Sequence, residues 1–221
     1  MVDLRFRRKI KLQQQRRRLA AKARAKKGDY KLTYPIGRKF YLNDVELSVL
    51  YKTCEGNEII SMATGIQAGL REFMAVDLFI RASLTAAQIH RLDFEHIDFV
   101  RNNLKSRTYH RNVRIRPMDP GLAEHLKRYI REMGIERGPL FSLSGRRLQI
   151  KAVIAWWHKT VKKAGLKRCS LYTARHTAAV NIYFDTGSLK MAAKARGVSV
   201  VEAKKLYLGL KQEDFDTIYH L

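Results

Sequence analysis

Arg175 stands beside His176 in the run Leu171-Tyr172-Thr173-Ala174-Arg175-His176-Thr177-Ala178-Ala179, at the start of an apolar segment of helical character. A guanidinium is planar and presents a fork of donors, so it suits the oxygens of a phosphate better than a lysine does. The same side chain can also cap or pair at a helix terminus, and this stretch by itself leaves both uses open. The other cations in suggestive places are Lys105, Arg107 and Arg111, in a basic segment with hairpin character, and Arg146 and Arg147, ahead of a strong helix.

The charge balance favours a phosphate partner. The 221 residues carry 44 Lys and Arg against 20 Asp and Glu, a net charge of +24 with a pI near 10.3. Such an excess calls for a polyanion, and nucleic acid is the default. Ribosomal and other RNA-binding proteins share this balance, so charge does not choose DNA, and an anionic membrane surface is a weaker fit. Twelve of these cations lie between Met1 and Lys27, Arg16, Arg17 and Arg18 among them, against Asp3 alone. Within the arm, residues 1–37, the segment Gln13–Lys27 is rich in good helix formers whose like charges repel. It is expected to order on phosphates, which position a protein without reading sequence; the competing reading is a solubilising tail.

Cys54 and Cys169 are too few for a disulfide framework or a zinc site, and the seven histidines show no metal-ligand spacing. No metal, cofactor or small-molecule ligand is expected. No apolar run approaches membrane-spanning length and no signal peptide is seen, so the expectation is a reduced, cytoplasmic protein of a bacterial or archaeal cell or its nucleoid.

The remaining 38–221 read as one mainly α domain with a small antiparallel β-sheet, an α+β fold. Asn43-Asp44-Val45-Glu46 opens a helix with a cap and an acidic first turn. Val45, Leu47, Leu50 and Tyr51 form its expected buried stripe, and Gly56-Asn57 its expected end. An apolar stretch from Ile59 to Ile80 follows. Thr85 and Gln88 have capping-box spacing. Asn102-Asn103 marks a turn, and Arg101 to Arg116 reads as a hairpin in which Val113 and Ile115 alternate with charges. Amphipathic helices are expected over Gly121 to Met133 and from Ile150 to a C-cap at Gly165, with Trp157 in the core. Two more helical stretches follow the Arg175 box.

The Arg175 box resembles the H-x-x-R-H-T motif of the tyrosine recombinases, the phage integrase family. Leu92-Asp93-Phe94-Glu95-His96-Ile97-Asp98-Phe99 is similar to the family's L-x-W-x-D-I-D exit into a small sheet, and the order of elements matches from about Phe40 to Leu221. The resemblance implies a tyrosine-recombinase catalytic-domain-like fold, with the basic arm where the family has a separate core-binding domain. It implies double-stranded DNA as partner, and assembly with itself or another recombinase on DNA. It also implies metal-free chemistry in which a tyrosine attacks a DNA phosphate, forms a 3′-phosphotyrosyl link and releases a 5′-hydroxyl. Two arginines hold the phosphate oxygens, a hairpin lysine protonates the leaving oxygen, and histidines assist.

Carried over residue by residue, the resemblance assigns the second arginine to Arg175 and the lysine to Lys105, a solvated hairpin lysine being the competing reading. The first arginine, in the family's T-G-x-R, falls in Ala82-Ser83-Leu84-Thr85, where Thr85 replaces it; Arg81, one turn earlier, is a conceivable substitute. The first histidine is replaced by Tyr172. Two registers are open for the nucleophile. Counted without gaps, Gly197-Val198 takes the family's G-H and Tyr207 the nucleophile. By local pattern, Leu208-Gly209-Leu210 and Thr217-Ile218-Tyr219-His220 favour Tyr219. In both registers the histidine is absent. Arg16, Arg17, Arg18, Arg107, Arg111, Arg146, Arg147 and His176 are the expected DNA contacts. The expected function is therefore a DNA-binding recombinase relative with impaired catalysis, an accessory or architectural factor in recombination or integration. The alternative is a minimal active integrase.

Overall fold

Caps written in the sequence start most of the helices. In the computed structural model, which describes residues 41–64, 67–107, 113–166, 169–208 and 210, α1 (Asp44–Ala63) begins with a capping box between Asn43 and Glu46. α2 (Ala68–Ile80) follows, and α3 (Ala86–His90) opens on the Thr85–Gln88 capping box. A 3₁₀ turn over Phe94–His96 leads into β1 (Ile97–Asp98), β2 (Asn103–Arg107) and β3 (Val113–Pro117), a three-stranded antiparallel sheet in that order. Then come α4 (Pro120–Met133), a two-stranded ribbon of β4 (Ser142–Leu143) and β5 (Arg146–Arg147), α5 (Ile150–Lys163), α6 (Leu171–Thr186), α7 (Leu189–Arg196) and α8 (Val200–Tyr207). Among the described residues, eight α-helices and a small sheet give the mainly α architecture expected.

α2 is the centre of the domain. Every residue in it except Ala68 and Arg71 is buried, and it packs on α1, α4, α5 and α6. Trp157 of α5 is fully buried edge-on to Phe79, as expected of a core residue. Two buried carboxylates of α2 tie it to its neighbours. Asp77 accepts from the Tyr51 hydroxyl (2.7 Å), His125 Nδ1 (2.8 Å) and Arg81 Nε (3.0 Å). Glu72 accepts from Thr160 Oγ1 (2.7 Å) and Lys159 Nζ (3.0 Å). A buried carboxylate is tolerable only when donors replace its hydration, and both of these have them. A second, smaller core joins Tyr41, Ala179 and Val180 to Ala192, Ala193, Ala203, Leu206, Tyr207 and Leu210.

Two expectations need correction. α1 runs through Gly56-Asn57 to Ala63, so Ile59, Ile60 and Met62 are exposed residues of α1 rather than the start of a buried stretch. The physical reason is a close helix crossing: a side chain at Gly69 would collide with the Asn57 backbone, and the Gly69 N–H bonds Ser61 Oγ at 2.9 Å. Val45, placed in the buried stripe, is exposed. In β3 Val113, Arg114 and Ile115 are all exposed and Arg116 is the buried residue. Leu104, Ser106 and Arg116 are buried, while Lys105, Arg107, Val113 and Ile115 are exposed. Both cysteines are free and buried. Among the described residues no helix is long and apolar enough to cross a membrane.

Candidate nucleic-acid interface

The C-terminus of α7 gathers three arginines. A helix leaves its last carbonyls without intrahelical partners and carries a partial negative charge there. Arg175, on the first turns of α6, donates from Nη2 to the Arg196 carbonyl at 3.1 Å and from Nε to the Ser83 carbonyl at 3.4 Å. Arg116, on β3, donates from Nη1 to the Ala195 carbonyl and to the Ala82 carbonyl (3.2 Å), and from Nε to Ser106 Oγ (3.4 Å). Arg114, two residues earlier on the same face, donates to the Gly197 carbonyl. Gly197 ends α7 in the left-handed conformation (φ +75°), and a Cβ there would strike the Arg114 guanidinium.

A fourth cation, Arg196, is 4 % exposed and lies over the Tyr172 ring, 4.7 Å from its centroid. Its Nε has no partner among the described residues. No carboxylate among the described residues forms an ion pair with Arg114, Arg116, Arg175 or Arg196. The helix end supplies about half a negative charge against four guanidiniums, so the cluster stays strongly positive. Burial, then the repulsion of Arg114 and Arg196, pushes Arg116 down to about 10. Burial, then Arg196 and Arg116, does the same to Arg175. Both remain charged at neutral pH.

Tyr207 ends α8 inside this cluster. It is fully buried, its hydroxyl lies 3.0 Å from His176 Nδ1, and Arg196 is a charged neighbour. Burial raises the phenol well above its ordinary pKa. His176, also fully buried, is packed between Tyr172 and Tyr207, and burial together with Arg196 and Arg175 lowers it to about 3. His176, expected as a DNA contact, is therefore an internal partner of Tyr207.

Thr85, where the resemblance would place the first arginine, is engaged within its own turn. Thr85 Oγ1 accepts from the Gln88 N–H (3.2 Å), and the Thr85 N–H donates to Gln88 Oε1 (2.9 Å), so the side chain is spent on capping α3. Ser83, at the glycine of T-G-x-R, is left-handed (φ +50°), a conformation glycine adopts without cost. Arg81 is held by Asp77 and Asp119 rather than turned toward Arg175.

Of the other expected site residues, Lys105 and Arg107 lie on the exposed face of the sheet, opposite the face that carries Arg116. Arg146 is exposed, while Arg147 is engaged with Asp93 and with the His90 carbonyl (2.7 Å). Arg16, Arg17, Arg18, Arg111 and Tyr219 lie outside the described residues. The structure thus brings Arg175, His176 and Tyr207 together and leaves Lys105 apart. Sequence reasoning missed Arg116 and Arg196. Arg196 had a usable signal, since it directly precedes the Gly197-Val198 pair.

The fold is that of a tyrosine recombinase catalytic domain. No protein-family model and no curated protein matches the sequence. Among solved structures, the chain is similar to XerA recombinase, with a TM-score of 0.64 at 18% identity over 81% of this chain and 63% of that one. It is similar to XerH site-specific recombinase bound to palindromic difH substrate, with a TM-score of 0.64 at 15% identity over 80% and 51%. It is also similar to the Tn1549 transposon integrase in complex with circular intermediate DNA, with a TM-score of 0.60 at 15% identity over 81% and 64%. The chain spans between about half and two thirds of the length of these solved chains.

Proposed function

We propose that this protein binds double-stranded DNA through its cationic surface and the Arg175 cluster, and that it cleaves DNA poorly. In this reading it is an accessory or architectural factor in recombination or integration, acting beside another copy or another recombinase. The observation that carries the proposal is the contrast at one site: the guanidinium cluster is uncompensated, while Thr85 caps its own helix where an arginine would reach for phosphate. The XerH and Tn1549 structures are DNA complexes, which supports a DNA partner for this fold.

Losing one preorganised donor to a developing oxyanion costs about a hundred- to a thousand-fold in rate. A nucleophile must also shed its proton. Tyr207 is buried with a raised pKa, and its neighbour His176 at about 3 is too weak a base to take the proton at neutral pH. Binding is less sensitive, because many phosphate contacts share it. Gel-shift titration with a duplex, competed by structured RNA at fixed salt, tests the reading: the duplex should be held and RNA should compete weakly. Equal or stronger RNA binding would contradict it.

One observation favours a second reading, a minimal active recombinase. Tyr207 bonds His176 and has Arg196 and Arg175 as charged neighbours, so a tyrosine hydroxyl and a cationic cluster do share one place.

A further inference from the structure

We infer that Arg116 and Arg175 form a two-guanidinium clamp that holds a single DNA phosphodiester in binding, Arg116 making a phosphate contact where position 85 has no arginine, without restoring the donor that cleavage needs. The inference rests on the proposed DNA-binding reading and names which side chains grip. Four observations carry it.

The first is position. Arg116 bonds the carbonyl of Ala82, and Arg175 bonds the carbonyl of Ser83, so both guanidiniums lie against the segment from which the absent arginine would have reached. The second is connection. Thr85 is linked to Arg116 through Gln88 and Ser106: Gln88 Nε2 donates to Ser106 Oγ, which also accepts from Arg116 Nε, each at 3.4 Å. The residues around position 85 therefore orient Arg116.

The third is spare capacity. A guanidinium has five N–H donors. Arg116 spends three, on Ser106, Ala82 and Ala195, which leaves Nη2 unspent, and Arg175 leaves Nη1 unspent. The fourth is uncompensated charge. Arg116, 4 % exposed, and Arg196 beside it have no acidic partner among the described residues, and the Arg196 Nε is buried without any acceptor. Buried cations are ordinarily paired. Burial, and after it the repulsion of neighbouring guanidiniums with Arg196 common to both, depresses Arg116 and Arg175, and an oxyanion between them would offset that repulsion. A purely structural set of helix-capping arginines would gain nothing from clustering, because the repulsion works against the cap.

The test uses the whole chain. Crystals of the unaltered protein soaked in tungstate, a phosphate-like oxyanion with a strong anomalous signal, should show it within hydrogen-bond reach of both Arg116 and Arg175. An oxyanion on Arg175 alone, or none in the cluster, would overturn the clamp. In parallel, Arg116→Lys and Arg116→Gln should each weaken duplex binding about tenfold, with Arg81→Gln as a control that leaves it unchanged. Unaltered affinity in a folded Arg116 variant would overturn the clamp. The two readings fail separately. A protein that binds duplex without tungstate between the arginines loses the clamp and keeps its function. A protein that holds tungstate there and ignores duplex keeps the clamp and loses the function.

Discussion

Arg116 and Arg175 bridge the same two strips of backbone one residue out of step: Arg116 joins Ala82 to Ala195, and Arg175 joins Ser83 to Arg196. Two guanidiniums laid side by side in this way couple the turn before α3 to the end of α7. Whatever draws them together or pushes them apart is felt at both.

Arg175→Lys keeps the charge and loses the fork. Its duplex affinity should fall by a similar factor on unrelated sequences, because a phosphate contact carries no sequence information. For Arg175→Ala, the slope of log affinity against log salt should become shallower by about one, as one phosphate contact is lost. Fluorescence titrations on two unrelated duplexes at several salt concentrations check both.

The His176–Tyr207 pair sets an acid limb. His176 is held neutral with its pKa lowered to about 3, so between that value and its ordinary one near 6.5 the unfolded chain binds a proton that the folded chain refuses. Stability should therefore decline as pH falls below about 6.5. In His176→Gln the decline between pH 6.5 and 4 should be visibly flatter, read from denaturant midpoints at each pH. An unchanged acid limb would mean that other groups set it.

Asp77 accepts three hydrogen bonds at full burial. Asp77→Ala strands Tyr51 and His125 without their acceptor, leaves Arg81 to Asp119 alone, and should cost about 3 kcal/mol or more. Asp77→Asn should cost less, since one acceptor oxygen remains. Urea unfolding of the two variants ranks them.

Gly197 is left-handed and lies under Arg114 and Arg116. Gly197→Ala adds a Cβ where an L-residue is strained, by roughly 1–2 kcal/mol, and displaces two guanidiniums. Both thermal stability and duplex affinity should drop. At Gly134, also left-handed but with nothing near its Cβ position, Gly134→Ala should lower stability and spare DNA binding.

Much of this fold was legible because the helix signals are local. The caps at Asn43 and Thr85 stand where the sequence placed them, and Arg175 was found from its own box. Arg116 was not legible, for a physical reason. In Val113-Arg114-Ile115-Arg116 the period of two is plain, and burial by hydrophobicity would turn the valine and isoleucine inward. The neighbour on that face is a helix C-terminus with bare carbonyls, which prefers arginines, so the apolar residues face out. Such a choice depends on a partner eighty residues away. The continuation of α1 through Gly56-Asn57 has the same character, since it is decided by the close approach of Gly69. His176 reads as a surface cation in sequence and becomes a neutral core group only when α8 closes over it.

The central claim, that the grip on DNA outlives the cutting, is tested most directly with a nicked duplex that traps any phosphotyrosine link. On such a substrate the protein should form a stable complex that denaturing electrophoresis dissolves, leaving no covalent adduct. A covalent protein–DNA adduct that disappears in Tyr207→Phe or Tyr219→Phe would contradict the account and establish a working recombinase site.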